Sequence, residues 1–276
     1  MSGLVVNTNM NSLQVENNLV NTNNQISNSL QSLSSGLRLN SSKDDPAGYA
    51  VANAFAAKIA SMQVASQNSN EAQSMLQVAD GAYTQVNNIL VQMKSIATEA
   101  ASGQTESLGT MQNEFNSLQN EIDRISNSTV YGTANLTNGG SSGVSVTFQV
   151  GATNDANDQI VVKFDSATAS DLGVSTSIGV GTLASAQAAM TAIDTALTSI
   201  NSFMGNVGSY QNRLQYTIDN LSTSVTNFSA SQSTIQDVDM ASAISSFTKE
   251  QILQQAGMAM LAQANSTPQQ ILTLLR

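Results

Sequence analysis

Apolar residues recur along most of the chain at alternating intervals of three and four residues, which is the spacing of one face of a helix. The most regular stretch is apolar at every seventh residue, at Ile193, Ile200, Val207, Leu214, Leu221, Phe228 and Ile235. Four of the six intervening positions are apolar as well, namely Leu197, Met204, Ile218 and Val225, and the other two are Gln211 and Gln232. This pattern predicts one long helix that buries a face along its full length.

A second long helix is predicted from residue 46 to about residue 101. Asp45 is suited to cap its first turn, and Pro46 fits a position where no backbone donor is needed. Its stripe comprises Phe55, Met62, Leu76, Tyr83, Leu90 and Ala97, joined by Ala65, Ala72, Ala79, Val86, Met93 and Ala100, with Ser69 as the one weak position. At 1.5 Å per residue this helix would be about 80 Å long, so we expect an elongated bundle.

Three further helices have weaker patterns. The first stripe is Leu19, Ile26, Leu30, Leu33 and Leu37, on a segment where Glu16 is the only ionisable side chain before Arg38. A shorter helix after Gly103 is marked by Leu108, Met111, Phe115, Leu118, Ile122 and Ile125. A last helix follows a slip in spacing at residues 236–241 and carries Ile244, Phe247, Leu253, Ala256, Met260 and Leu261, and the chain ends in Ile271, Leu272, Leu274 and Leu275.

Residues 131–182 differ from the rest, because they are rich in Gly, Ser, Thr and Asn. Alternating apolar positions at Val144, Val146, Phe148 and Val150, and again at Ile160, Val162 and Phe164, predict a β-hairpin that caps the helices. The predicted fold is therefore mainly α, an elongated antiparallel helical bundle or coiled coil with a small β-hairpin region.

Composition argues against an enzyme. The chain has no His and no Cys, so it lacks the commonest acid/base group and metal ligand and any thiol nucleophile. Its net charge of −10, with only 9 Lys and Arg residues, argues against nucleic acid as a partner. Residues 1–20 have neither a basic region nor an unbroken apolar run, so we expect no cleaved signal peptide and no membrane span.

Three groups of residues could suggest metal chemistry, and each has a simpler explanation. Asp44 and Asp45 are expected to form a turn and a helix cap. Asp155 and Asp158 lack the ligand number and spacing of a calcium loop, so they are expected in a solvated hairpin turn. The 11 Met residues include several on the heptad stripes, which places them in the core. We expect no catalytic residue, no cofactor and no metal.

The first and last helices would leave apolar surface exposed if each packed only against the other. Self-association would cover that surface. An elongated subunit with unlike complementary faces makes head-to-tail contacts, which close into a ring or continue as an open helical filament.

Five segments of the chain resemble bacterial flagellins. The most specific is residues 33–48, LSSGLRLNSSKDDPAG; the others are VNTN at 6–9, NEIDRI at 120–125 together with FQVG at 148–151, and MAMLAQAN at 258–265. They occur in the family's order and, with the helices between them, cover most of the chain outside the hairpin region. The resemblance implies a structural subunit of the flagellar filament that polymerises head to tail for motility, of a short form without large outer domains.

The resemblance also implies a division into two layers. An inner layer would contain the N-terminal helix, 1–39, and the C-terminal helix, 236–276. The linker, 40–47, would lead to the N-terminal rod helices, 48–130, then the hairpin region, 131–182, and the C-terminal rod helix, 183–235.

Site residues are assigned through the resemblance in three groups. The linker motif comprises Leu33, Ser34, Ser35, Gly36, Leu37, Arg38, Asn40, Lys43, Asp44, Asp45 and Gly48. The inner-layer polymerisation residues are Leu19, Ile26, Leu30, Ile244, Phe247, Leu253, Met260, Leu261, Leu274 and Leu275. A face that matches the innate-receptor site of some flagellins comprises Leu90, Val91, Gln92, Ile96 and Glu114.

Several partners follow from the resemblance. These are other copies of the chain, an export chaperone at the C-terminal segment, the filament cap and hook-junction proteins, and a host Toll-like receptor. Recognised flagellins carry Arg where this chain has Gln92, which removes a charged contact and weakens the expectation of receptor binding. The expected location is the extracellular flagellum, reached by type III export.

Two alternatives remain open at the level of sequence. A hook-filament junction protein would share the terminal helices but form a joint instead of the shaft. A secreted coiled-coil adhesin or translocator would use the heptads for a closed bundle and would not need the linker motif.

Overall fold

Five helices dominate the fold. The computed structural model describes residues 9–102, 107–140 and 143–274, and their side chains as far as Thr267. The helices are α1 (Met10–Ser35), α2 (Pro46–Ala100), α3 (Leu108–Ser128), α4 (Leu183–Gln236) and α5 (Met240–Leu274). The strands are β1 (Val130–Tyr131), β2 (Ala134–Asn135), β3 (Val144–Gln149) and β4 (Gln159–Phe164). The fold is mainly α, as the sequence predicts.

The chain divides into two compact units. The terminal unit consists of Met1–Ala57 and Asn227–Arg276, and the central unit of Lys58–Thr226. The terminal unit contains α1, α5 and the ends of α2 and α4. The central unit contains α3, the strands and the greater part of α2 and α4.

The heptad face of α2 lies in the core of the central unit. Its members from Met62 to Ala100 are each at most 8% exposed. The weak position Ser69 is buried too, and its hydroxyl donates to the carbonyl oxygen of Ala65 at 2.8 Å, so the polar group is satisfied within the helix. In the terminal unit, Phe55 is half-buried and its ring lies 5.6 Å from that of Phe228. The prediction of a buried stripe is confirmed.

The stripe on α4 is most deeply buried in its first two thirds. Ile193, Ile200 and Leu214 are fully buried, whereas Phe228 and Ile235 in the terminal unit are half-buried. Helix α3 contributes a third apolar face with Met111, Phe115 and Ile122 in the core. The central unit is therefore a helical core whose faces follow the sequence periodicity.

The predicted hairpin forms. Strands β3 and β4 pair antiparallel, with Val146 opposite Val162 and Phe148 opposite Ile160. Phe148, Ile160, Val162 and Phe164 face the core. The inward side chains therefore come from the alternate positions that the sequence pattern marks.

The segment after the hairpin is more than a cap, which corrects the sequence-based expectation for 131–182. Its apolar residues are part of the central core, namely Ala167, Ala169, Leu172, Val174 and Val180. The side-chain amide of Gln119, which is 1% exposed, donates to the carbonyl oxygens of Val174, Ser175 and Ile178 at 2.9–3.0 Å. A short ribbon of β1 and β2, absent from the prediction, precedes the hairpin.

Candidate assembly surface

Helices α1 and α5 pair along a seam of half-buried residues. On α1 the seam comprises Ser12, Val15, Leu19, Thr22, Ile26, Ser29 and Leu33. On α5 it comprises Ala243, Phe247, Glu250, Gln254, Gly257, Leu261 and Ala264. Both sets repeat every seven residues, but about half of their members are polar or lack a large side chain. No residue of α1 is fully buried, so the helix gains little apolar burial from this pairing.

Hydrogen bonds between the two helices fix their direction and register. Asn9 donates its side-chain amide to the carbonyl oxygen of Ala264 at 2.8 Å, and Gln254 donates to Asn23 at 2.7 Å. The hydroxyl of Ser29 donates to a carboxylate oxygen of Glu250 at 2.8 Å. The partners descend along α5 as they ascend along α1, so the pairing is antiparallel. The apolar periodicity did not indicate these polar contacts.

A close approach of the helices explains one glycine in the seam. A Cβ atom added to Gly257 would lie 3.2 Å from the Cδ1 atom of Leu19. That distance is shorter than an ordinary carbon contact, so a Cβ atom at 257 would require the Leu19 side chain to shift by a few tenths of an ångström.

The predicted inner-layer residues divide into two groups. Leu19, Ile26, Phe247 and Leu261 lie in the seam, half-buried. Leu30, Ile244, Leu253 and Met260 point away from it and are 48–59% exposed. The predicted stripe on α1 is thus wrong at Leu30, because Ser29 occupies the seam position one residue earlier. Leu274 is the last residue of α5, and its side chain is not among those described. Leu275 lies outside the described residues.

The terminal helices expose many large apolar side chains to solvent. On α1 and α5 these are Met10, Leu13, Val20, Leu30, Met240, Ile244, Ile252, Leu253, Met258 and Met260, all between 45% and 69% exposed. On α5 they lie on both sides of the seam. Met258 is one residue after the seam residue Gly257, and Met260 is one residue before the seam residue Leu261. The two methionines are therefore rotated away from the seam in opposite directions around the helix. A helix that is apolar on several sides requires additional packing partners.

The residues between α1 and the linker, 36–39, are bonded to the end of α4 and the residues that follow it. Gly36 ends α1 in the left-handed conformation, with a φ of 73°, which suits a residue without a Cβ atom. Its carbonyl oxygen accepts from the amide of Val238 at 3.0 Å, and the amide of Arg38 donates to the carbonyl oxygen of Gln236 at 2.7 Å. The guanidinium group of Arg38 donates to the carbonyl oxygen of Ile235 at 2.5 Å. These bonds connect the C-terminal end of α1 to the residues that precede α5.

The two linker carboxylates have structural roles, as the sequence predicts. One oxygen of Asp45 accepts from the amides of Ala47 at 3.1 Å and Gly48 at 3.0 Å, which caps α2. A Cβ atom on Gly48 would collide with the side chain of Asp45 and lie 3.1 Å from the Cδ1 atom of the buried Leu39. The cap and the linker turn therefore require glycine at this position.

Asp44 stabilises the turn before the cap. Its carboxylate accepts from the amides of Ser41 at 3.0 Å and Asn40 at 3.1 Å. The hydrogen bond from the Ser41 amide, helped by that of Asn40 and by the charge of Lys43, holds the pKa of Asp44 below its ordinary value. The side chain of Asn40 donates to the carbonyl oxygen of Leu37 at 3.2 Å, which closes the turn from the other side.

The remaining motif residues lie at the end of α1. Leu33 is half-buried in the seam, and Ser34 is exposed on the opposite side. The hydroxyl oxygen of Ser35 accepts from the amide of Leu37 at 3.1 Å, and Leu37 pairs with Asp237 in an isolated β-bridge. Residues 36–39 thus form one continuous set of backbone contacts with residues 236–238.

The hairpin turn accounts for the other acidic pair. Asp155 accepts from the amide of Asn157 at 2.9 Å, and the carboxylate of Asp158 accepts from the amide of Thr153 at 2.8 Å and from its hydroxyl. The hydroxyl contact is the main cause that lowers the pKa of Asp158. Among the described residues, no three carboxylates, His or Cys residues converge on a metal-sized site. None of the described helices has the length and hydropathy to cross a bilayer.

The predicted receptor face is split between core and surface. Leu90 and Ile96 are buried in the central unit, at 0% and 8% exposure, so they are not available to a partner. Val91 is 54% exposed. Gln92 and Glu114 are exposed, and the amide of Gln92 donates to the carboxylate of Glu114 at 3.3 Å. The surface part of this face is a small neutral and acidic patch.

Two family models match the chain and together cover most of it. Residues 6–142 match the bacterial flagellin N-terminal helical region, and residues 190–275 match the bacterial flagellin C-terminal helical region. The first of these matches contains the linker, and the second contains the whole of α5.

Curated proteins and a solved structure are similar over much of their length. The flagellin of Halalkalibacterium halodurans is 34% identical over 99% of this chain and 100% of its own. The flagellin of Bacillus subtilis is 34% identical over 98% and 99%, and the flagellar filament 33 kDa core protein of Treponema phagedenis is 32% identical over 99% and 100%. The crystal structure of Bacillus cereus flagellin superposes with a TM-score of 0.50 at 26% identity, over 60% of this chain and 94% of that one.

Proposed function

The chain belongs to the bacterial flagellin family and is a structural, non-enzymatic subunit of the flagellar filament, and from this premise we propose that the exposed apolar faces of α1 and α5 make the contacts between subunits. The ten large apolar side chains on these helices support the proposal, because they are about half exposed or more in the single chain. Burial of each would stabilise the polymer by roughly 25 cal/mol per Å² of apolar area.

The composition of the seam adds to this argument. Thr22, Ser29, Glu250 and Gln254 occupy seam positions where a stable two-helix coiled coil would have leucine or isoleucine. The hydrogen bonds that Ser29, Glu250 and Gln254 make across the seam favour one register without adding much apolar burial. The pairing of α1 with α5 therefore orders the two helices, and neighbouring subunits supply the larger part of the apolar burial.

The segments of the chain are assigned to two layers in this proposal. Segments 1–39 and 236–276 form the inner layer, and 48–130 together with 183–235 form the layer around it. Segment 131–182 packs its hairpin and the residues after it into the central unit. Residues 36–39, just before the linker, are bonded through their backbone to residues 236–238, which joins the two inner-layer segments at this end.

The finer partners belong to the same proposal. The subunit is exported by the flagellar type III apparatus to the extracellular filament, with a chaperone that covers the C-terminal segment before export. The exposed apolar side chains on several sides of α5 support this, because without a chaperone the helix would associate with other subunits before export. The filament cap and the hook-junction proteins meet the same terminal helices at the two ends of the polymer.

Recognition by a Toll-like receptor is proposed to be weak. Only Val91, Gln92 and Glu114 of the matched face are on the surface, and Glu114 already accepts a hydrogen bond from Gln92. A neutral amide also lacks the charge and the five donors of an arginine at that position.

The alternative functions are not favoured. A junction protein or an adhesin would share the helices, but the relatives that match this chain from end to end are named as flagellins or as a filament core protein. The linker also matches the family in sequence, within the region covered by the N-terminal family model.

A matched pair of substitutions tests the proposed contacts. Leu253 on α5 is 48% exposed and Leu183 at the start of α4 is 51% exposed, so the two leucines present similar area to water. Leu253→Asp should abolish elongation of filament seeds, because a buried unpaired carboxylate costs several kcal/mol at every interface. Leu183→Asp should still elongate.

Both variants should retain the circular dichroism spectrum and melting temperature of the unaltered free chain, since neither leucine is buried in it. Normal elongation by the Leu253→Asp protein would refute the assignment of the contacts to α5.

A further inference from the structure

The methionines of this chain divide sharply by location. Met10, Met240, Met258 and Met260 lie on α1 and α5 and are 45–69% exposed. The methionines on the core faces of α2 and α3 are at most 8% exposed: Met62, Met75, Met93 and Met111. Met190 and Met204 on α4 are half-buried, and Met1 lies outside the described residues. Every methionine in the described part of the chain that is more than a third exposed thus lies on the two terminal helices.

The exposed methionines are the ones that an oxidant can reach. A peroxide transfers one oxygen atom to the sulfur of an accessible methionine, which forms methionine sulfoxide while the peroxide is reduced to water or an alcohol. The product is polar and needs a hydrogen-bond donor when it is buried. Since the chain has no cysteine, no thiol competes for the oxidant.

We propose that Met10, Met240, Met258 and Met260 form an oxidation site that blocks assembly of the free subunit, a proposal that rests on the proposed role of α1 and α5 as the contact helices. Oxidation leaves the central core intact, because its methionines are shielded. It converts four apolar contacts of the terminal helices into polar ones. The free subunit is sensitive, and the subunit within the polymer is protected by its neighbours.

The positions of the four side chains on the helices favour this effect. Met240 and Met258 are five helical turns apart on one flank of α5, since 18 residues make five turns of 3.6. Met260 lies on the other flank, one heptad after Leu253. Met10 is the first residue of α1, and its neighbour Asn9 bonds to Ala264 in α5. An oxidised subunit therefore carries sulfoxides on both flanks of α5 and at the start of α1.

The test compares free subunits with assembled filaments of the unaltered chain. Both are treated with the same limiting dose of hydrogen peroxide and quenched with catalase, and peptide mass spectrometry measures sulfoxide at each methionine. In free subunits the four exposed methionines should oxidise first, and in filaments they should be protected. Seeded elongation by the oxidised subunits should require a concentration at least about tenfold higher.

Two further measurements exclude general damage. Treatment with methionine sulfoxide reductases A and B should restore elongation. A variant with leucine at all four exposed positions, M10L/M240L/M258L/M260L, should elongate equally well before and after peroxide, because leucine is apolar and inert to it. The melting temperature of the oxidised chain should match that of the untreated chain.

The outcomes separate this inference from the proposed function. If untreated subunits elongate seeds but oxidised subunits elongate equally well, or if the leucine variant loses elongation after peroxide as the unaltered chain does, the oxidation site is refuted and the proposed function stands. If the untreated chain fails to elongate seeds, the proposed function itself is refuted.

Discussion

Replacement of Leu214 by alanine tests whether the heptad face of α4 is the core that the structure describes. Leu214 is 0% exposed and belongs to the main cluster of buried side chains. Removal of three carbon atoms from such a site costs about 2–5 kcal/mol, since the neighbours only partly fill the cavity. The midpoint of thermal unfolding should fall by roughly 5–15 °C, at about 2–4 °C per kcal/mol for a chain of this size.

The matched control makes the same chemical change where the side chain is half exposed. Leu253→Ala on α5, at 48% exposure, should cost the free chain less than about 1 kcal/mol. Both proteins are measured by circular dichroism below the concentration at which they polymerise. Equal midpoints for Leu214→Ala and the unaltered chain would show that the heptad face is not buried. Leu214→Asp extends the series, because a buried unpaired carboxylate should leave the central unit unfolded.

Three other perturbations have defined outcomes. Tyr83→Phe removes a buried hydroxyl that donates to the carbonyl oxygen of Asp165 at 2.7 Å, so chemical denaturation should show a loss of about 1–3 kcal/mol, while Tyr216→Phe, at a side chain 75% exposed, should show none. The pKa of Asp44 is lower in the folded chain than its ordinary value of 3.8. The stability that its ionised carboxylate contributes is therefore present above pH 3.8 and is lost as the pH falls through the pKa of the folded chain. Thermal melts of Asp44→Asn should lack this acid-dependent loss of stability. Deletion of 271–276 should leave the melting temperature of the free chain unchanged and abolish elongation of seeds, and filaments from the truncated chain would contradict the inner-layer proposal.

The sequence predicted best where one pattern repeats many times. The stripe from Met62 to Ala100 on α2 is buried throughout, because a long helix can bury only one face continuously. On α4 the positions that recur every seventh residue from Ile193 to Leu221 are buried, whereas the positions between them are half-buried. The cap at Asp45 was also predictable, since a helix cap follows local rules that do not depend on distant residues.

The sequence predicted least where contacts are polar or distant. Ser29 and not Leu30 lies in the α1–α5 seam, because hydrogen bonds and the close approach at Gly257 set the rotation of the helix. The three carbonyl oxygens bound by Gln119 belong to residues more than fifty positions further along the chain, and no local pattern predicts such a contact. Leu90 was assigned to a surface by resemblance, although its own heptad position predicts the core in which it lies.

Electron microscopy of the purified chain tests the central claim most directly. The protein is heated to separate it into monomers, cooled, and incubated with short filament seeds. Long smooth filaments that grow from the seeds are the result expected for a self-sufficient filament subunit whose terminal helices make the contacts. Seeds that stay short, with the added chain remaining monomeric or forming only caps at their ends, would contradict that account.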